Sequence, residues 1–513
     1  MSPADGRPQR RTPQAWPAAV MSPLLHASLS TAPALTAWRA LASRPSTRND
    51  TQMIESLAKP ENRPTPPVLF KRLPVLLAAA GFWLTVLSLY PGYMTNDATF
   101  VYSYIKQWQF GDWQSPLMSM LWWVIDPIAP GPGSMFLLTA GLYWTGFAFM
   151  GLAAARRSAA IGIATSLLGL VPPAFMMLAM IWRDILFGTC WLLAAAIVYL
   201  TADADRRVRW TVSTFALALL GFGILLRPTA IIAAPLLAMY LAWPAAYDWK
   251  RAAILFIPGI VLGYALIHLV YYVILDVKRE NPLHSLFVFD LGGITNFTGK
   301  NQFPVSWNAE QTALLTTKCY DPEYWDSYWT VPPCDFVMHR LEAPGDVIFG
   351  SPRLTQAWLR AVTAHPLAYL RHRATYYWRF LAGSNLTLEL HRLDEPGKTP
   401  LAQNRYFRSV VAIHDALKPT LLFRTGFWLL LAAAIAALAW PRRQTLSGAF
   451  ALGATASAVF YVLTFLPLGV AADFRYGYWC VLAGLAGVIG LATAAVERRR
   501  ATISPVPTHR LTK

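Results

Sequence analysis

RDILFGTCWLLAAAIVYLTADADRRVRWTVSTFALALLGFGILLRPT, residues 183–229, holds two uninterrupted apolar runs, 185–202 and 210–226. Between them lies the short basic turn Arg206-Arg207-Val208-Arg209. A hydrocarbon layer about 30 Å thick is crossed by roughly 17 to 25 apolar residues in helix, so each run is one span. A chain that turns back between two spans brings their outer ends to the same side. Arg183 and Asp184 therefore share a side with Arg227, and the basic turn lies on the other.

Working outward, further runs of spanning length occupy about 73–90, 134–155, 158–181, 229–247, 252–275, 421–440, 445–467 and 476–496, making ten. The turns Arg156-Arg157, Lys250-Arg251, Arg442-Arg443 and Arg498-Arg499-Arg500 then fall on the side of Arg206-Arg207. Basic loops stay cytoplasmic, so both termini are expected inside. The stretch 116–130 is too short to cross and is bounded by Pro116 and by Pro127, Pro130 and Pro132. It reads as an interfacial or re-entrant helix on the outer side.

Composition excludes other classes. The 513 residues are 55% hydrophobic and only 14% charged, whereas a soluble domain carries about 25% charged residues. Mean hydropathy is +0.37. A soluble enzyme, a disordered chain and a fibre are all ruled out; the expectation is an all-α polytopic membrane protein. Lys+Arg 44 against Asp+Glu 27 leaves a net charge of +17, fitting loops that face anionic lipid. Nucleic acid is not an expected partner, because the basic residues are scattered as pairs between spans. Twenty-one Trp and twenty-one Tyr suit interfacial belts.

Five segments follow. Residues 1–70, rich in Pro, Arg, Ser, Ala and Thr, read as a disordered basic cytoplasmic tail. The early apolar stretch from Pro23 to Leu41 is interrupted by His26 and Pro33 and does not read as a signal peptide; Met21 and Met53 are alternative starts. Residues 71–275 hold seven spans, with a first outer loop at 91–133. Residues 276–420 form an outer, periplasmic domain with helices expected over 352–382. Residues 421–496 hold three spans, and 497–513 form a second basic tail. Cys319 and Cys334 lie in the outer domain, where an oxidising compartment lets them pair or they stay free; Cys190 and Cys480 lie within spans as small core residues.

The span interiors carry almost no ionisable group, His268 being the main exception, whereas transporters place acids and bases near the midplane. Charge collects at outer turns instead: Tyr90 to Asp97 with Lys106 and Gly111 to Leu117, Trp182-Arg183-Asp184, Arg227-Pro228-Thr229, and Ala472 to Tyr476. Each has a plain reading beside the catalytic one. Asp97 with Thr95 and Asn96 suits a helix cap, Arg183, Arg227 and Arg475 suit snorkelling anchors, and Asp184 suits neutralising Arg183. Trp307, Tyr320, Tyr324, Trp325, Tyr328, Trp329 and Trp358 suit either stacking on sugar rings or packing at the lipid interface.

Tyr90-Pro-Gly-Tyr-Met-Thr-Asn-Asp97, Asp112-Trp-Gln-Ser-Pro-Leu117, Leu121-Trp122, Trp182-Arg-Asp-Ile-Leu-Phe187 and Phe474-Arg-Tyr476 together resemble the GT-C-fold glycosyltransferases. The likeness is to the bacterial branch similar to protein O-mannosyltransferases and aminoarabinose transferase, and it covers about 70–496. Relatives often carry His where Gln114 stands. The resemblance implies a polyprenyl-phosphate-linked sugar donor and a lipid, glycan or protein acceptor at the periplasmic face of a bacterial inner membrane. It implies Asp97 as general base. Arg227 and Arg475, with Arg183 or Lys106, would hold the donor phosphate. Asp184 would orient the acceptor, position an arginine, or join Asp97 on a divalent cation, Mg²⁺ or Mn²⁺. Asp112, Gln114 and Tyr476 would contact acceptor or sugar. A polysaccharide ligase or polymerase of the envelope, and a lipid-linked glycan transporter, are the alternatives.

Overall fold

The computed structural model describes residues 68–383, 401 and 404–503, so nearly all of the expected N-terminal tail lies outside the described residues. Helix α1 (Val68–Leu89) is followed by α2 (Asn96–Gln107), α3 (Pro116–Ile125), α4 (Pro132–Ala155), α5 (Ala159–Leu168) and α6 (Pro172–Met176). Next come α7 (Arg183–Thr201), α8 (Arg206–Leu226), α9 (Ala234–Ala242) and α10 (Trp249–His268). Five further helices are α11 (Leu283–Thr298), α12 (Ala309–Thr317), α13 (Phe336–Leu341), α14 (Pro352–Ala364) and α15 (Pro366–Ala382). The chain ends with α16 (Arg405–Leu417), α17 (Thr425–Ala439), α18 (Leu446–Leu468) and α19 (Tyr478–Ile503). No β-strand occurs among the described residues, only isolated bridges.

Eight of the described helices are long and apolar enough to cross a membrane, or nine if α5 and the segment Pro172–Ala179, bent by 53°, count as one span. Two expected spans are therefore not single long helices. Pro172 breaks the run at 158–181, because its ring excludes the backbone hydrogen bond and crowds the preceding turn. The run 229–247 begins as a 3-10 turn, Pro228–Ile232, and continues as α9, only nine residues long. Pro244 stops it there, since Trp243, the residue before a proline, is driven out of the helical region.

The second of these segments has contacts at both ends of the bundle. It starts at Arg227 beside Phe465 and Tyr476, and ends with the Tyr247 N–H donating to the Arg443 carbonyl at 2.7 Å. Around that far end, Arg157 pairs with Asp203 and Glu497, and Ser447 bonds both Tyr199 and Glu497. The basic turns after α4, α7, α9 and α17 thus gather at one end. Helix α7 is the centre of the bundle, enclosed almost throughout its length. Helix α10 is the opposite case: with the π-turn Leu269–Ile274 it forms a span of which only 6% is buried. A helix apolar on all sides yet uncovered by protein needs lipid around it.

Residues 283–382 form five helices at the end away from the basic turns, and their core is continuous with that of the bundle. Helix α15 fastens them: Arg373 donates to the Gly469 carbonyl at 2.6 Å and the Tyr376 hydroxyl to that of Ala471 at 3.2 Å. Cys319 and Cys334 are disulfide-bonded, and Cys190 and Cys480 are buried thiols.

Candidate functional site

Local chemistry sets each element of the site. Thr95 caps α2, accepting from the Ala98 N–H, and its hydroxyl also accepts from the Trp182 indole at 2.7 Å. Capping thus falls to Thr95, and the Asp97 carboxylate in the first turn is left for other work. The loops before α2 and α7 pair, Tyr93 N–H donating to Ala179 at 2.6 Å and Ile181 N–H to Tyr93 at 3.3 Å. That pairing lays two helix N-termini side by side, each with an aspartate in its first turn, Asp97 and Asp184. Helix N-termini favour negative charge. Pro228 stops α8 at Leu226 and leaves Arg227 outside the helical region. Asp473 caps the 3-10 turn Phe474–Gly477 by accepting from the Arg475 N–H at 3.0 Å.

Three guanidinium groups lie here, and two of them pair with carboxylates. Arg475 binds Asp97 through Nη1 at 2.5 Å and Asp473 through Nε at 3.0 Å, between the rings of Trp182 and Tyr476. Arg227 binds Asp184 at 3.1 Å and lies over the Tyr476 ring, 4.5 Å from its centroid. Arg183 donates to the Trp113 carbonyl at 3.1 Å and has no carboxylate at ion-pair distance among the described residues. Gln114 is buried beside it, with no side-chain hydrogen bond among the described residues.

These groups form the floor of a cavity of about 440 Å³. Its walls include Trp113, Tyr324, Trp325, Asp326 and Trp329, and the loop Gly469 to Asp473. The loop and the Tyr324 segment are stitched together: Trp325 N–H donates to Val470 at 3.0 Å, and Ala472 N–H to Glu323 at 2.7 Å.

Charge balance sets the carboxyl groups apart. Burial pushes Asp97 up, but contact with Arg475, aided by Arg183 and Arg227, brings it below the usual carboxylate value. Asp473 moves up, through burial first and then the nearby Asp184 and Asp97, against the pull of Arg475. Asp326 is likewise raised, by burial and by the Asp97 charge.

The cavity brings together Asp97, Arg183, Arg227, Arg475, Gln114 and Tyr476, with Asp184 directly beneath. Two other candidates stand differently. Lys106 is nine residues along α2, about 13 Å from Asp97, where it pairs with Asp126 at 3.5 Å and does not line the cavity. Asp112 lines the cavity, but its two oxygens already accept from the Glu280 N–H at 2.6 Å and the Tyr272 hydroxyl at 2.8 Å. It clasps the first loop to the segment after α10. Of the aromatic set, Tyr324, Trp325 and Trp329 reach the cavity. Trp307 packs on Phe303 and Phe336, Trp358 on Phe287, and Tyr320 on His372. Asp473 and Asp326 are the acids that sequence reasoning did not assign. Asp473 had a signal, its place in the turn with Arg475; Asp326 had none beyond its neighbouring tryptophans.

For a divalent cation the fit is poor. Asp97, Asp184 and Asp473 each face a guanidinium, and no cluster of three or more His, Cys, Asp or Glu side chains suited to a metal occurs among the described residues.

Fold and cavity together define a multi-pass membrane protein with a charged pocket at the end of the bundle opposite its basic turns. Compared with models of known families, with characterised proteins and with solved structures, the chain matches none.

Proposed function

We propose that this chain is a glycosyltransferase of the bacterial inner membrane. It moves a sugar from a polyprenyl-phosphate donor to an acceptor at the periplasmic face, with ten crossings and both termini inside. One observation carries the reading: Arg183, with no carboxylate partner, opens on the same cavity as Asp97. A guanidinium in that state suits a phosphate, whose oxygens fit its planar fork. Asp97, held ionised by Arg475, is in the form that accepts a proton.

In the reaction the acceptor hydroxyl oxygen bonds to the anomeric carbon while the bond from that carbon to the phosphate oxygen breaks. The bonding pair leaves with the phosphate, which departs as an anion and needs no strong acid. The acceptor proton passes to Asp97, and the single displacement inverts the sugar carbon. The basic turns gathered at the far end support placing that end in the cytoplasm, and the disulfide suits an oxidising compartment on the cavity side.

The test is mass spectrometry of lipid A and surface glycans in a deletion strain. A sugar should be missing, restored by the wild type and not by Asp97→Asn. Restoration by Asp97→Asn with failure of Arg475 variants would point to a lipid-linked glycan ligase or polymerase. Movement of a glycan lipid into sealed vesicles with no new glycosidic bond would point to a transporter.

A further inference from the structure

The tryptophan-lined wall of the cavity carries polar side-chain groups without a partner among the described residues. Buried tryptophans elsewhere have partners: Trp122, Trp144, Trp182, Trp191, Trp428 and Trp479 each donate an indole hydrogen bond. Trp325 is equally buried, 5% exposed, yet its indole N–H has no acceptor among the described residues. That N–H is not among the fully enclosed unpaired atoms, and its residue lines the cavity. Buried indoles normally find a partner. Asp326, the next residue, faces the same cavity with no hydrogen bond or ion pair to its carboxylate among the described residues. Trp113 and Trp329 complete the wall, 5.7 Å and 5.2 Å from Trp325 by ring centroids.

A donor, an acceptor and indole surfaces at one place select among ligands. An acyl chain satisfies neither polar group. A phosphate is repelled by Asp326, as Asp97 beside it already repels it. A sugar ring meets every requirement: its hydroxyls donate to a carboxylate and accept from an indole, and its C–H faces lie on aromatic rings.

We propose that Trp325 and Asp326, with Trp113 and Trp329, form a carbohydrate subsite that grips adjacent hydroxyls of a sugar ring. This rests on the glycosyltransferase reading and deepens it, by giving the sugar its own wall while the arginines take the phosphate. The ring belongs to the donor or to a glycan acceptor.

The test uses full-length protein in nanodiscs. Its probes are farnesyl phosphate, farnesyl phosphate bearing mannose, glucose or arabinose, and the matching methyl glycosides. Trp325→Phe keeps the ring and removes the N–H; Asp326→Asn keeps the shape and removes the charge. Each should weaken binding of a sugar-bearing probe about five- to tenfold without weakening that of farnesyl phosphate. If a sugar-bearing lipid binds better than farnesyl phosphate and loses that gain in the variants, the donor sugar is held there. If methyl glycosides bind alongside farnesyl phosphate and are lost in the variants, the ring is the acceptor's. The subsite is refuted if no sugar-bearing lipid binds better than farnesyl phosphate and no glycoside binds either alone or alongside it, or if both variants bind sugars as the wild type does. Absence of any farnesyl phosphate binding in the wild type would instead count against the phosphate role of the arginines.

Discussion

Asp184 and Arg227 are locked together beneath the cavity, Oδ1 to Nε at 3.1 Å, with 4% and 8% of their side chains exposed. Removing one partner of such a pair strands the other charge, which typically costs about 3–5 kcal/mol. Asp184→Ala should therefore lower the melting temperature sharply. The double variant Asp184→Ala/Arg227→Met should recover part of that loss, because no charge is left buried alone. A single variant that melts like the wild type would mean the pair is not sealed.

Asp97 differs, since its side chain is 42% exposed. Asp97→Asn should insert and fold normally while losing transfer by at least about 100-fold, the lower end of what general-base catalysis supplies. Folding holds its carboxyl below the ordinary value, so this group stays ionised as pH falls from 7 to 5. Transfer should not decline over that window on its account. A rate limb near pH 6 that disappears in Asp97→Asn would contradict the assigned charge state.

Asp326 titrates the other way. A carboxyl raised by folding binds its proton more tightly in the native state, so the native state loses stability as pH rises from about 3.9 through the raised value. Burial and the Asp97 charge raise it, and Arg475 only partly compensates. Asp326→Asn should melt with the wild type near pH 4 and above it at pH 7.5. A gap that shrinks with rising pH would reverse the sign of that environment.

The disulfide bears on the same wall. Cys319 and Cys334 are 15 residues apart in sequence, and the loop they close carries Tyr324, Trp325, Asp326 and Trp329. Closing a loop of that size is worth about 3 kcal/mol in the chain-entropy model. Cys319→Ser/Cys334→Ser should lower the melting temperature. Trp325 fluorescence, read against a Trp325→Phe background, should shift toward that of a solvent-exposed indole. No change in either would show the loop is held by its backbone bonds to Val470 and Ala472 alone.

Much of the floor was legible because charge is conspicuous in an apolar chain. Asp97, Arg183, Asp184, Arg227 and Arg475 each sit at the mouth of an apolar run, and such runs place their ends at one depth. The same logic overreached at Lys106, nine residues beyond Asp97 along α2, and at Asp112, whose oxygens belong to the backbone and to Tyr272. Span counting read apolar length and not backbone chemistry, so the breaks at Pro172 and around α9 went unseen. Asp326 and Trp325 were hidden for another reason. An acid among aromatics is ordinary in a polar segment, and only pairing with the loop at 470–472, far away in sequence, brings them to the cavity.

That loop is held from behind by Asp290. Its carboxylate is fully buried, accepts from the Trp358 indole at 2.7 Å, and lies at ion-pair distance from Arg373 at 2.6 Å and from His372 at 3.2 Å. Arg373 continues to the Gly469 carbonyl at 2.6 Å, so one guanidinium links the buried acid to the backbone that leads into Asp473 and Arg475. A lysine cannot span both, because a single ammonium has no planar fork. Arg373→Lys should therefore speed proteolysis at 469–473 and weaken substrate binding more than it slows turnover. Acid should do similar damage. Burial holds His372 below its usual value, and Arg373 and His372 hold Asp290 below its own despite burial. In both cases the unfolded chain takes up protons first, so stability should fall as pH drops below about 6.5 and again below about 4. His372→Gln should shrink the first of these declines, the remainder belonging to His284, which burial also holds below its usual value; an unchanged decline would place the titrating group elsewhere.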